Sequence, residues 1–89
     1  MKSYFGMYSS TATGQVECTI LVFDKNLSIG YKSSDGSNQM VNWLLKDVQV
    51  NFDLGRQTTQ LRNTGLPGEL LIEGNDVAQF IKTIQDERQ

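Results

Sequence analysis

Apolar and polar residues alternate along most of the chain, and a period of two predicts β-strands with one buried face. The clearest case is residues 15–23, where the even-numbered positions from 16 to 22 are all apolar and Glu17 and Thr19 lie on the opposite face. Seven segments carry such a strand pattern: residues 2–9, 15–23, 27–32, 40–45, 48–53, 57–62 and 69–73. The pattern therefore predicts a protein built mainly from short strands.

Polar segments rich in glycine, asparagine and serine separate these strands, as expected of tight turns. The strongest hairpin signal is the Asp35-Gly36 pair between two alternating segments, because glycine accepts the positive φ that such turns need. The sole proline, Pro67, lies in the loop before the last strand. Consecutive strands joined by short turns predict antiparallel neighbours.

The period changes near the C-terminus, where Val77, Phe80, Ile81 and Ile84 follow the i, i+3, i+4, i+7 spacing of one helix face. Asn75 is expected as the N-cap, with Asp76 placing a negative charge in the first turn. The chain is therefore predicted to end in an amphipathic helix whose apolar stripe docks on the sheet.

Seven antiparallel strands followed by one helix predict a mainly β, pleckstrin-homology-like fold, a partly open barrel capped by the helix. The main alternative is a small barrel of the SH3 or OB kind, which does not usually end in so strong a helix. A plain antiparallel sheet with one helix is the third possibility. The length of 89 residues fits a single domain over residues 1–89.

Charge excludes several classes of partner. The net charge is −2 and the sequence pI about 4.9, which argues against nucleic-acid binding. Phosphoinositide recognition in pleckstrin-homology-like domains depends on Lys and Arg around the first hairpin loop, and here residues 9–15 contain neither. We therefore expect neither nucleic acid nor a specific phosphoinositide as partner.

The residue inventory also argues against catalysis and cofactors. The chain has no His, so Ser-His and Cys-His mechanisms are excluded, and its single cysteine, Cys18, shares the apolar face of its strand and is expected to be buried. No cysteine pair has zinc-ligand spacing, and no glycine-rich segment has the spacing of a phosphate-binding loop. No signal peptide or membrane-spanning run is apparent. We predict no enzymatic activity for this segment, and no cofactor or metal.

Two groups of residues are candidates for a protein-interaction surface. The aromatic residues Tyr4, Phe5, Tyr8, Tyr31 and Trp43 are candidates for a recognition patch, although burial in the core is the favoured interpretation for Trp43. The polar strand at residues 57–62 is the candidate for an exposed sheet edge that binds a peptide by strand addition. The predicted interaction surface comprises Tyr8, Tyr31, Trp43, Gln57, Thr59 and Arg62.

Several short motifs together point to one family. They are Tyr4-Phe5-Gly6-Met7-Tyr8, the strand at residues 16–23, Leu27-Ser28-Ile29, Trp43-Leu44-Leu45-Lys46-Asp47-Val48, the proline loop, Leu70-Leu71-Ile72 and the helix at residues 76–84. With them, nearly the whole chain resembles the N-terminal soluble domain of bacterial membrane-anchored zinc metallopeptidases of the HtpX-like class. The sequence departs from that pattern at Ser9-Ser10, where related sequences often carry Asp-Gly.

The resemblance implies a non-catalytic accessory domain that acts in protein or substrate interaction, with the rest of its own polypeptide, a membrane-embedded peptidase domain, as partner. The HExxH zinc helix of such a peptidase would lie outside these residues, because the chain has no His. The final helix reaches Gln89 without a glycine cap, which agrees with an N-terminal part of a longer chain. The expected location is the cytoplasm, with tethering to the inner membrane through downstream segments. The alternative is a stand-alone peptide-binding module.

Overall fold

The computed structural model describes residues 2–53 and 55–88, without the side chain of Lys2. Within these residues a short 3-10 turn, Leu45–Asp47, joins the fourth strand to the fifth. The strands and the helix are β1 (Lys2–Ser10), β2 (Gly14–Phe23), β3 (Asn26–Lys32), β4 (Asn38–Leu44), β5 (Val48–Asp53), β6 (Thr58–Asn63), β7 (Glu69–Glu73) and α1 (Val77–Arg88).

All seven strands belong to one antiparallel sheet with the order β4-β3-β2-β1-β7-β6-β5. β1 is the central strand and pairs with β2 along its whole length, whereas it pairs with β7 only from Met7 to Ser9. The sheet therefore curls at β1 into a half-barrel, and α1 covers part of its concave side. The predicted fold class is confirmed: a mainly β, pleckstrin-homology-like, partly open barrel of seven antiparallel strands capped by a C-terminal helix.

Gly6 lies where β1 separates from β7. A Cβ atom added at this position would lie 2.6 Å from the Leu71 carbonyl oxygen and 3.1 Å from Cγ1 of Ile72. A Cβ atom at that distance from a backbone atom would force the strands apart, so the glycine permits their close approach at the bend.

The core lies on the concave side of the sheet. The alternation predicted for β2 is confirmed, whereas in β3 Ser28, between the inward residues Leu27 and Ile29, is buried as well. Ile20, Leu27 and Ile29 are fully buried, together with the inward residues of the other strands. Along β5 the inward residues become more accessible: Val48 is buried, whereas Phe52 is 48% exposed. The core therefore thins towards the β5 edge.

The helix docks through the predicted stripe. Val77, Phe80 and Ile84 are buried, and the Phe80 ring packs edge-on against Tyr4 with ring centroids 5.0 Å apart. The hydroxyl groups of Tyr4 and Thr83 are hydrogen-bonded at 2.8 Å. Burying such side chains stabilises a fold by about 1.5–3 kcal/mol each, so this helix is an integral part of the domain.

Hydrogen bonds define where the helix begins and anchor its C-terminal end. The Phe80 N–H donates to the Asp76 carbonyl (2.8 Å), which places Asp76 rather than the predicted Asn75 at the N-cap. At the other end the Arg88 guanidinium donates to the carbonyl oxygens of Leu45 (3.1 Å) and Val48. The C-terminal turn of the helix is therefore attached to the connection between β4 and β5.

The sixth strand differs from expectation, because it is not an edge. β6 pairs with β5 on one side and with β7 on the other, so the two open edges of the sheet are β4 and β5. Polar residues such as Gln60 occupy the outward positions of β6, whereas Thr59 and Leu61 face inward and are buried. Strand addition along residues 57–62 is excluded in this fold, because both sides of β6 are occupied.

Candidate interaction surface

Three of the predicted interaction residues form an aromatic cluster inside the half-barrel. The Tyr8 ring stacks on Tyr31 with centroids 5.3 Å apart, and it lies 6.5 Å from the Trp43 ring. Trp43 is fully buried and Tyr8 nearly so, whereas Tyr31 is half-buried. Burial also raises the pKa of the Tyr8 hydroxyl, with Tyr31 adding to the shift. These rings supply packing, so Tyr8 and Trp43, which the sequence placed in the interaction surface, lie in the core instead.

The three polar members of the predicted surface lie apart from this cluster and from one another. Gln57 is exposed in the turn between β5 and β6, whereas the Thr59 side chain is buried and its hydroxyl donates to the Asn51 carbonyl (3.3 Å). Arg62 is exposed on the convex side of the sheet and forms an ion pair with Glu69 of β7. The six predicted residues therefore do not form one continuous site.

The convex side of the sheet carries a different surface, centred on an exposed aromatic residue. The strand register places Phe5, Thr19, Gly30 and Met40 side by side in one row across β1, β2, β3 and β4. Phe5 is 76% exposed and Met40 64% exposed. These two exposed apolar side chains lie at opposite ends of the row, and the surface between them is a candidate interaction site.

The shape of this row follows from its glycine. Gly30 has no side chain, and an added Cβ atom would have only the Thr19 carbonyl oxygen near it, at 3.9 Å. The sheet surface is therefore low at Gly30, between the Thr19 and Met40 side chains. We call this feature the outer groove, defined by Phe5, Thr19, Gly30 and Met40, with Glu17 and Lys32 at one end.

A second depression adjoins the other side of Phe5. Met7 pairs with Glu17 on β2 and with Leu71 on β7, and strand alternation places all three side chains on the convex side. Glu73 lies two residues after Leu71 on the same face. We call this feature the acidic depression, defined by Phe5, Met7, Glu17, Leu71 and Glu73.

The two carboxylates of the acidic depression have no basic partner within 4 Å among the described residues. The ion pairs found among the described residues join other side chains, Arg62 to Glu69 and Arg56 to Asp53. The depression therefore combines an apolar floor with two carboxylates that form no ion pair among the described residues, with Lys32 the basic residue that shares a groove lining with Glu17.

Sequence reasoning placed Phe5 among the aromatic candidates but did not separate it from its neighbours. The strand period contains that information. Tyr4 and Tyr8 are an even number of residues apart and share the buried face, so Phe5 and Met7 must point to the opposite face. Met40 could not be found in this way, because its importance depends on the register between β3 and β4.

The two open edges differ in how they are protected against pairing with another chain. Edge strands usually carry charged residues or proline that discourage such pairing. β4 contains neither, whereas β5 ends in Asp53. Within the described residues, β4 is thus an unprotected edge, and its Met40 also belongs to the outer groove.

The single cysteine, Cys18, is buried. Burial raises the pKa of the Cys18 thiol to about 11, with a smaller opposing effect of a backbone hydrogen bond with Gly6, so the thiol is protonated at neutral pH. Among the described residues, no group of three or more His, Cys, Asp or Glu side chains is arranged to hold a metal ion.

The β3–β4 hairpin contains one strongly perturbed carboxyl group. Hydrogen bonds from the side chains of Ser33 and Ser37 to the Asp35 carboxylate, together with the Ser37 N–H at 2.9 Å, lower its pKa to about 2. All of these contacts lie within the turn, so they stabilise its conformation and indicate no ligand.

No helix in the part of the chain that the structure describes is long and apolar enough to cross a membrane. A comparison of the chain with protein-family models finds no match, and none of the curated proteins matches it.

Proposed function

We propose that this chain is a non-catalytic interaction domain that binds a protein partner on the convex side of its sheet. The observation that carries the proposal is the exposure of Phe5 and Met40 on either side of the glycine floor of the outer groove. Leaving a phenylalanine 76% exposed gains nothing for folding, whereas covering it by a partner is favourable. The lack of His in the sequence supports a non-catalytic role.

Site-specific photo-crosslinking in the cells that produce the protein tests this proposal. Phe5 is replaced by p-benzoylphenylalanine, and Phe52, which is 48% exposed near the β5 edge, is replaced in the same way as a matched control. We expect a discrete adduct from position 5, either to a second protein or, mapped by mass spectrometry, to another segment of the same polypeptide, and none from position 52. An adduct at position 52 alone, or no adduct at either position, would contradict the proposal.

The partner is proposed to be the rest of the same polypeptide, a membrane-bound zinc metallopeptidase of the HtpX-like class. This part rests on the resemblance of the Tyr4–Tyr8 segment, the Trp43–Val48 segment and the other motifs. Reading the gene beyond the codon for Gln89 tests it. Hydrophobic helices followed by an HExxH motif would support the link. Their absence would remove the peptidase and leave the interaction proposal standing.

A second candidate function is peptide binding by strand addition, and the uncharged β4 edge favours it. An extended segment pairing with β4 would satisfy backbone groups that no neighbouring strand now covers. The substitution Gln39→Lys places a charge on this edge, and Gln49→Lys places the same charge on the β5 edge. Strand addition at β4 predicts that only the first substitution weakens partner binding, and equal effects of the two would exclude it.

A further inference from the structure

We propose that the acidic depression beside Phe5 binds an arginine or lysine side chain of the partner protein. This inference rests on the proposed function, because it names the chemistry of the partner segment that covers the convex side. The argument combines the position of the depression, its charge and the shape of the side chain that would fill it.

The depression crosses the middle of the sheet. Its floor is formed by Met7 on β1 and Leu71 on β7, which are direct register partners and are both half-buried. Phe5 forms one wall and is the most exposed large apolar side chain of the described residues. A partner side chain lying here would contact apolar surface along most of its length.

Negative charge lies at two places around this apolar floor. Glu17 belongs to β2 and Glu73 to β7, so the two carboxylates come from strands on opposite sides of β1. Both residues are exposed, and neither forms an ion pair within 4 Å in the described part of the chain. Lys32 lines the neighbouring outer groove, but its ammonium group is beyond ion-pair distance from Glu17.

An apolar floor with carboxylates around it matches the build of arginine and lysine side chains. Their aliphatic stems pack on apolar surface while the charged head remains at the water boundary. The exposed face of the Phe5 ring adds a cation–π contact, for which arginine is used more often than lysine. The net charge of −2 attracts a basic segment from solution as well.

Other occupants fit less well. An anionic segment is repelled by Glu17 and Glu73, and a purely apolar segment would remove water from these carboxylates without supplying a counter-charge. Charge complementarity therefore selects a basic residue flanked by apolar ones.

The test uses peptide probes and the ¹⁵N-labelled chain. The first probe is acetyl-Leu-Arg-Leu-Arg-Leu-amide, and the matched probes have Gln or Glu in place of both Arg residues. We expect the Arg peptide to shift the backbone amide signals of Phe5, Met7 and Leu71. We also expect it to bind about fivefold more tightly than the Gln peptide, since exposed ion pairs and a cation–π contact are each weak. The Glu peptide should bind most weakly.

Two double variants identify the source of this preference. The pair Glu17→Gln with Glu73→Gln should abolish the preference for Arg over Gln. The pair Asp24→Asn with Asp86→Asn removes the same two charges from exposed positions elsewhere and should keep it. Because both variants have the same net charge, a general electrostatic attraction would affect them equally.

The outcomes separate this inference from the function on which it rests. Equal binding of the Arg and Gln peptides at Phe5 would overturn the basic-partner inference while leaving the convex side as a binding surface. Equal loss of preference in the two double variants would also overturn it. If no peptide shifts signals at this face, the acidic depression is not the site. The crosslinking at position 5 then decides separately whether the convex side binds a partner.

Discussion

Replacing Gly6 by alanine should weaken the junction between the two halves of the sheet. The added Cβ atom would lie 2.6 Å from the Leu71 carbonyl oxygen, 3.1 Å from Cγ1 of Ile72 and 3.3 Å from Cδ1 of Ile20. The two isoleucine side chains can adjust by a few tenths of an ångström, but the carbonyl oxygen belongs to the backbone of β7. β1 and β7 must therefore move apart where the sheet bends.

Two effects of opposite sign set the size of the change. Forcing an extra methyl group into a well-packed site costs about 1–3 kcal/mol. Reducing the flexibility of the unfolded chain offsets about 0.4–1 kcal/mol of that cost. The two ranges bracket a net loss of about 0–2.6 kcal/mol, and because the clash is with backbone we expect about 1–2 kcal/mol, against a total stability of about 4–13 kcal/mol for 89 residues. The variant should fold, with a Tm about 4–16 °C lower.

Gly30→Ala is the matched control, because it makes the same chemical change inside a strand of the same sheet. Its Cβ atom would have only the Thr19 carbonyl oxygen within 4 Å, at an ordinary contact distance of 3.9 Å. The entropic gain then acts alone, so Gly30→Ala should be neutral or stabilising by up to about 1 kcal/mol.

Thermal unfolding followed by circular dichroism, together with urea titration, measures both variants. The urea dependence should keep its slope while its midpoint falls for Gly6→Ala, since the surface exposed on unfolding is unchanged. The smallest decrease in Tm that we expect for Gly6→Ala is about 4 °C. A Tm within about 2 °C of the parent would therefore refute the steric reasoning, and so would equal losses of stability in the two variants.

Three further predictions concern the helix, the thiol and the hairpin. Phe80→Ala should lower the free energy of unfolding, measured in urea, by about 3–5 kcal/mol, because the ring is fully buried. Gln79→Ala on the exposed face should change it by less than about 0.5 kcal/mol. Similar losses in the two variants would contradict the docking of the helix. Cys18 should react with Ellman's reagent at pH 8 about a hundredfold more slowly in the folded chain than in urea, because a pKa of about 11 leaves little thiolate. Equal rates in the two states would contradict the burial of this thiol. The Asp35 carboxyl should titrate near pH 2 by NMR, and Ser33→Ala should raise that pKa. Because the pKa is lower in the folded state, the stabilisation from Asp35 is present above its unfolded pKa and is lost as the pH falls towards 2. A normal pKa for Asp35 in the folded chain would contradict these hydrogen bonds.

The strand pattern predicted which residues face inward, because alternation is a local property. The bounds of β7 agree with the prediction at both ends, and the helix stripe of Val77, Phe80 and Ile84 is buried as expected. The order of strands in the sheet is a different kind of information. The pairing of β1 with β7 joins the two ends of the sequence, and no local pattern encodes it.

The error at β6 has the same origin. Thr58, Gln60 and Arg62 gave this strand a polar composition, which suggested an open edge. A strand with polar residues on its convex side and Thr59 and Leu61 inside is equally compatible with a central position. Which neighbours cover a strand depends on the whole topology, so the two edges became known only from the fold.

The same reasoning applies to the interaction surface. Composition singled out the aromatic residues as a group. The side of the sheet on which each one lies depends on its exact position in the strand, because neighbouring residues point to opposite faces. Tyr8 and Trp43 face inward and stabilise the core, while Phe5 faces outward beside Gly6. An interaction residue on a sheet is thus better sought among large apolar residues at the strand positions between the buried ones, which point away from the core.

The two proposed binding modes meet at Met40, and this determines how they can be told apart. A strand added to β4 would place every second side chain on the convex side, next to Met40 and in line with Gly30 and Phe5. Loss of the Met40 side chain would therefore weaken either mode. Gln39 has the concave-facing phase of Trp43, so a charge there acts mainly on the β4 edge, although Gln39 also borders the outer groove. Conversely, Phe5 lies three strands away from the open edge and contributes only when the partner covers the convex side. Position 5 and position 39 are consequently the informative pair, because Phe5 is remote from the open edge whereas Gln39 lies on it.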